Sequence, residues 1–103
     1  MKKMMTTEIQ FVNLKKDPVL ENMIATRLAR LEKKYSWMEA ARIFLKDENF
    51  TNGKDKICEA ILSVPGPNIF TKSTEESFEA AIAQTFEDLE KLLHRHKGKM
   101  YKS

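Results

Sequence analysis

Two groups of basic residues have the spacing of a helical face. Arg27, Arg30 and Lys34 lie three and four apart, with Lys33 further round, and Lys91, Arg95 and Lys99 follow one another at intervals of four. Guanidinium and ammonium groups repeated in that way make a row of cations that neutralises successive phosphates and releases their counterions. That is binding chemistry rather than catalysis. Lys97 and Lys102 can join the second group from the end of the chain.

The charges are also sorted along the sequence. Leu89 to Ser103 carries five Lys or Arg, two His and one acid, Glu90, whereas Thr74 to Glu90 has six acids and no base. Part of this sorting complements the helix macrodipole, which favours acids early and bases late by about 0.3–1 kcal/mol each. The dipole does not explain the rest. Its effect fades beyond the last turn, yet Lys99 and Lys102 continue past Gly98, and Arg27 falls in mid-helix. Phosphate binding accounts for both.

The elements that must position these bases can be read from periodicity. Thr6 to Asn13 alternates, with Ile9 and Phe11 on one side, as a half-buried strand does. Asp17-Pro18 supplies an N-cap and a proline at the first helical position, and Leu20, Met23, Ile24, Leu28, Leu31 and Tyr35 then form one apolar stripe of a first helix. Met38 to Asp47 returns to period two, with Ala41, Ile43 and Leu45 inward and Arg42, Phe44 and Lys46 outward. The polar segment Glu48 to Asp55, holding Asn52-Gly53, makes a long hairpin loop into a third strand, Lys56 to Val64, whose inward residues are Cys58, Ala60, Leu62 and Val64. Pro65-Gly66-Pro67 turns the chain into a short edge strand, Asn68 to Ser73. Ser73 with Glu76 matches a capping box, so the second helix is expected to open at about Thr74, with Glu75, Glu76 and Glu79 in its first turns. Its stripe is Phe78, Ala81, Ile82, Phe86, Leu89, Leu92 and Leu93, His96 closes it, and Gly98 is its expected stop.

The order β-α-β-β-β-α predicts an α+β, two-layer sandwich: a four-stranded sheet with two helices on one face, similar in shape to a double-stranded RNA-binding domain. Counting chain reversals, both helices run back from the sheet in the same sense, which puts their basic C-terminal ends together. Those seven bases are therefore expected to share one edge.

Composition sets the outer bounds. At 103 residues and 42% hydrophobic, the chain is expected to be one domain, 1–103, whose last residues, about 98–103, form a flexible basic tail. A net charge of +3 is small, so attraction to a polyanion depends on where the bases lie. The single cysteine, Cys58, cannot form an internal disulfide, and the start of the chain has no apolar run long enough for a signal peptide or membrane span. A soluble cytoplasmic protein, monomeric when free, is the expectation.

Catalytic signals are weak throughout. His94 and His96 are two apart on a helix and point about 200° away from each other, so they cannot chelate one metal. Cys58 has no basic neighbour, and the Glu75, Glu76 and Glu79 group reads as capping and solvated surface. The sequence lacks a Gly-rich phosphate loop and a nucleophile elbow. We therefore expect no enzyme, cofactor, metal or small-molecule substrate. On the outer sheet face, Phe44 between Arg42 and Lys46 is an aromatic on which a base could stack, although an exposed Phe is ordinary.

Three segments carry a family likeness: TRLARLEKKY (Thr26 to Tyr35), EAILSVPGPNIFTKS (Glu59 to Ser73) and ESFEAAIAQTFEDLEKLLHRHKGK (Glu76 to Lys99). Together, in this order, they closely resemble the bacterial ribosome hibernation-promoting factors, also called ribosome-associated inhibitors and once described as sigma-54 modulation proteins. The resemblance implies a protein that binds the small ribosomal subunit between head and body, where messenger and the A- and P-site transfer RNAs would lie, and so silences idle ribosomes. It implies contacts to ribosomal RNA from Arg27, Arg30 and Lys33 in the first helix and from Lys91, Arg95 and Lys99 late in the second. A tyrosine and an acid of the family's "DMYAAID"-like segment are absent where this chain has Glu76-Ser77-Phe78-Glu79-Ala80-Ala81-Ile82-Ala83. Ending at Ser103, the chain resembles the family's short form. A sigma-factor-binding module and a general double-stranded RNA binder are the alternative readings.

Overall fold

The computed structural model describes residues 5–49 and 53–100. Its elements are β1 (Thr6–Phe11), α1 (Pro18–Lys34), β2 (Ala40–Asp47), β3 (Lys56–Ser63), β4 (Ile69–Glu75) and α2 (Phe78–Met100). The sheet order is β1-β2-β3-β4. β1 and β2 are parallel, joined through α1, and the other two pairings are antiparallel.

α1 begins where the sequence puts it. Asp17 Oδ1 accepts from the backbone N–H of Val19 at 2.9 Å and of Leu20 at 3.4 Å, and Pro18 occupies the first turn. Leu20, Ile24, Leu28 and Leu31 are buried, with Tyr35 below them at the C-cap. From the sheet, Ala41, Ile43, Leu45, Cys58, Ala60 and Leu62, with Val64 just after β3, join one core with Ala81, Ile82, Phe86, Leu89 and Leu93 of α2. Each large aliphatic side chain in it contributes about 1.5–3 kcal/mol by leaving water. The two-layer α+β arrangement, with both helices on one face of the sheet, follows from that single core.

Turns close as their residues require. Gly66 (φ 93°) and Gly53 (φ 79°) take the left-handed backbone that favours glycine, and Asn49 does so at φ 53°. The Glu48 N–H donates to the Asp55 carbonyl at 3.0 Å and shuts the base of the β2–β3 loop. Asn52 lies outside the described residues.

Both ends of α2 differ from expectation. Ser73 is no cap: β4 continues to Glu75, paired with Lys56, and Ser73 is buried opposite Cys58. Its Oγ has no hydrogen-bond partner. Ser77 caps the helix instead, its Oγ accepting from the Ala80 N–H at 3.1 Å. Strand pairing with β3 outcompetes the earlier helical start, so Glu75 and Glu76 precede the helix and Glu79 alone is the acid of its first turn. At the other end, the helix runs through Gly98 to Met100. The contact of His96 with the β3–β4 turn holds the last turns against glycine's low propensity. Residues 98–100 are thus helical, and Lys102 lies outside the described residues.

A Cβ at Gly98 would meet nothing within 4 Å, and its φ is not in the left-handed region. Gly98→Ala is therefore expected to stabilise the fold by about 0.5 kcal/mol, seen as a higher midpoint in urea unfolding.

Candidate nucleic-acid interface

The chain reversals have the expected result. α1 and α2 lie side by side and parallel: Arg27, Arg30 and Leu31 share a groove with Ala83, Phe86, Glu87 and Glu90, and Lys34 at the end of α1 reaches Glu90. The basic ends of the two helices are at the same end of the molecule.

They do not, however, form one uniform row. Arg95 and Lys99 line a second groove, between α2 and the start of β4, with Pro67, Asn68, Ile69, Phe70, Leu92, His96 and Met100. The cause is helical geometry. Residues at intervals of four advance by about 40° at each step, so from Lys91 to Lys99 the row turns by about 80° away from α1. Lys33 lies with Thr26, Ala29, Arg30 and Glu32 on a further flank of α1.

Carboxylates divide the candidates again. Lys34 is bound to Glu90, which also accepts from the Tyr35 hydroxyl at 3.0 Å, and Lys91 faces Glu87 at 3.7 Å, one helical turn away. Among the described residues, Arg27, Arg30, Lys33, Arg95, Lys97 and Lys99 carry no ion pair, so their charge is free for an outside anion. Glu87 and Glu90 were not anticipated as part of the interface. The Glu87–Lys91 spacing of four was the available signal; Glu90 against Lys34 spans two helices and had none.

The Lys34–Glu90–Tyr35 cluster makes stability depend on pH. The hydrogen bond from Lys34 holds the Glu90 carboxyl below its ordinary value of 4.5, with the Tyr35 hydroxyl helping and burial opposing. Lys34 is raised above 10.5, chiefly by the same bond to Glu90, and Tyr35 above 10.0, chiefly by burial. A carboxylate with a depressed folded pKa stabilises fully above 4.5 and loses that contribution as pH falls through the folded value. Lys34 contributes below 10.5 and loses its contribution as pH rises through its raised value. Glu90→Gln should therefore narrow the difference between urea midpoints measured at about pH 7 and about pH 3.

The outer sheet face is occupied by its own charges. Arg42 lies over the Phe44 ring at 5.3 Å and pairs with Glu8 at 3.5 Å; Lys46 and Lys72 both reach Glu59, at 3.2 and 3.9 Å. Phe44, offered by the sequence as a stacking surface, is half-buried beneath that guanidinium. Cys58 is fully buried, and burial pushes its thiol up to about 11, so it is no nucleophile at neutral pH. His94 is exposed, whereas His96 bonds through Nε2 to the Pro65 carbonyl at 2.7 Å and packs beside Trp37, with ring centroids 5.5 Å apart. Among the described residues no three His, Cys, Asp or Glu side chains are grouped to hold a metal ion, and no helix is long and apolar enough to cross a membrane.

The family model described as "Sigma 54 modulation protein / S30EA ribosomal protein" matches residues 7–101. No curated protein matches the sequence. Among solved structures, the fold is similar to that of a ribosomal subunit interface protein from Coxiella burnetii, with a TM-score of 0.80 and 18% identity over 91% of this chain and 99% of that one. It is similar also to the N-terminal domain of Thermus thermophilus Protein Y, with a TM-score of 0.76 and 22% identity over 90% of this chain and 99% of that one.

Proposed function

Given that the chain belongs to the Sigma 54 modulation protein / S30EA ribosomal protein family, which is not a family of enzymes, we propose that it is a cytoplasmic hibernation factor. It binds small-subunit ribosomal RNA in the channel used by messenger and by A- and P-site transfer RNA, and blocks translation by occupying it. The observation that carries this reading is the parallel pairing of two helices with basic ends, with Arg27, Arg30 and Lys33 along α1 and Arg95 and Lys99 beside β4, all without carboxylate partners among the described residues. Lys34 and Lys91 contribute less, because Glu90 and Glu87 already neutralise them in part. Cations placed for a backbone rather than for base edges suit a folded RNA recognised by its shape.

Sedimentation tests it directly. The protein is expected to travel with purified small subunits at low salt, not with large subunits, and to be released as salt rises. Arg27→Glu combined with Arg30→Glu should leave it at the top of the gradient while its circular dichroism is unchanged, since neither side chain belongs to the core. Sedimentation of that variant unchanged would refute the assignment. The family's description also mentions sigma 54; recovery of a sigma factor after nuclease treatment, without ribosomal proteins, would decide for that role instead.

A further inference from the structure

We propose that the groove between β4 and the last turns of α2 is a pocket for one unpaired RNA nucleotide, whose base stacks on Phe70 while its phosphate meets Arg95 and Lys99. The inference rests on the reading of the chain as an RNA-binding protein and adds a single-stranded contact to it.

Three features point to a nucleotide. Phe70 is 58% exposed, one of two large apolar side chains exposed to that degree among the described residues, and it stands at the wall of a groove of about 510 Å3. Ile69, Leu92 and Met100 add apolar lining, and Asn68 offers a polar side chain that can both donate to and accept from a base edge. Arg95 and Lys99 lie on the same groove, exposed and without ion pairs among the described residues. An aromatic face beside free cations is the combination that holds single-stranded nucleic acid, because every base has a π-face and every linkage a charge.

The pocket is formed in advance. His96 bonds to the Pro65 carbonyl, its ring lies against Gly66 and packs beside Trp37, so the turn that carries Pro67 and Asn68 is fixed to the helix that carries Arg95 and Lys99. Helix and strand therefore need not move to accept a ligand.

An acidic peptide added as a strand to β4 fits less well. Only Ile69 and Phe70 of the lining belong to the strand, and Pro67 has no N–H to offer a partner. Stacking on a ring needs no ladder of hydrogen bonds.

The test compares Phe70→Ala, Phe70→Trp and the Arg27→Glu/Arg30→Glu variant for binding to intact small subunits and to their RNA stripped of protein. Phe70→Ala is expected to weaken binding to both by about 5- to 150-fold, with the salt dependence unchanged because no charge is removed. Phe70→Trp should bind at least as well as the parent. If the arginine variant loses binding while Phe70→Ala keeps it in full, the nucleotide pocket is wrong and the RNA-binding reading stands. If the unmodified protein binds neither target, both fall. Loss confined to intact subunits, with the stripped RNA bound normally, would overturn the nucleotide in favour of a protein partner. Phe70 is exposed, so the variants are expected to melt as the parent does, and a circular dichroism melt confirms that each is folded.

Discussion

Arg95→Glu combined with Lys99→Glu is expected to reduce affinity for small ribosomal subunits by about 10²- to 10³-fold near 0.1 M salt. Each phosphate contact on single-stranded RNA contributes a salt exponent of about 0.7, and reversing a charge replaces attraction with repulsion. Both side chains are exposed and neither is in an ion pair among the described residues, so nothing on the protein has already absorbed their charge. Lys34→Ala with Lys91→Ala provides the contrast: these ammonium groups face Glu90 and Glu87, and their loss should weaken binding by less than about 10-fold. Equilibrium binding to labelled subunits at several salt concentrations distinguishes the two pairs. A loss of about 25-fold or more for the lysine pair, as two unpaired contacts would give near 0.1 M salt, would mean that the intramolecular carboxylates have no influence on the interface.

Tyr35→Ala should have the largest effect on the fold, about 3–5 kcal/mol by analogy with other buried aromatics, out of a total near 5–15 kcal/mol for a domain of this kind. Tyr35 is fully buried where α1 ends, its ring meets Trp37 edge-on at a centroid distance of 5.7 Å, and its hydroxyl donates to Glu90 at 3.0 Å. One side chain thus ties α1, the α1–β2 connection and α2 together. Truncation leaves a cavity and removes a hydrogen bond to a carboxylate. Tyr35→Phe keeps the packing and should cost only about 1–2 kcal/mol, because Glu90 retains Lys34. Urea unfolding of both variants measures the difference, and equal destabilisation would show that the hydroxyl, not the ring, dominates.

The parts of this fold that could be read from the sequence are those set by local chemistry. Asp17-Pro18 fixes where α1 starts, the alternation of Ala41, Ile43 and Leu45 fixes the inward face of β2, and Gly66 between two prolines fixes the β3–β4 turn. Counting chain reversals then predicts the parallel helices. Where local signals competed with pairing or docking, the reading failed. Ser73 has the residue type of a cap, but the backbone around it gains more by continuing along β3, and Gly98 has the type of a stop, but His96 anchors the helix around it. For the interface, the basic residues could be found and their grouping could not. Whether a lysine is free depends on Glu90 meeting Lys34 across two helices, and whether Arg95 joins α1 or β4 depends on a slow rotation along α2. Phe70 escapes the sequence for a related reason: only the fold shows that its side chain is left largely exposed.

The four strands also differ in how firmly they are held. β1 has one neighbour, β2, and not one of its six residues is buried, whereas β2 and β3 are paired on both sides and supply much of the core. Local opening follows such differences in burial and hydrogen bonding. The amino-terminal strand, held to the core by Ile9 and Phe11, is therefore expected to exchange its amide hydrogens sooner than the three-stranded meander and its long closing helix.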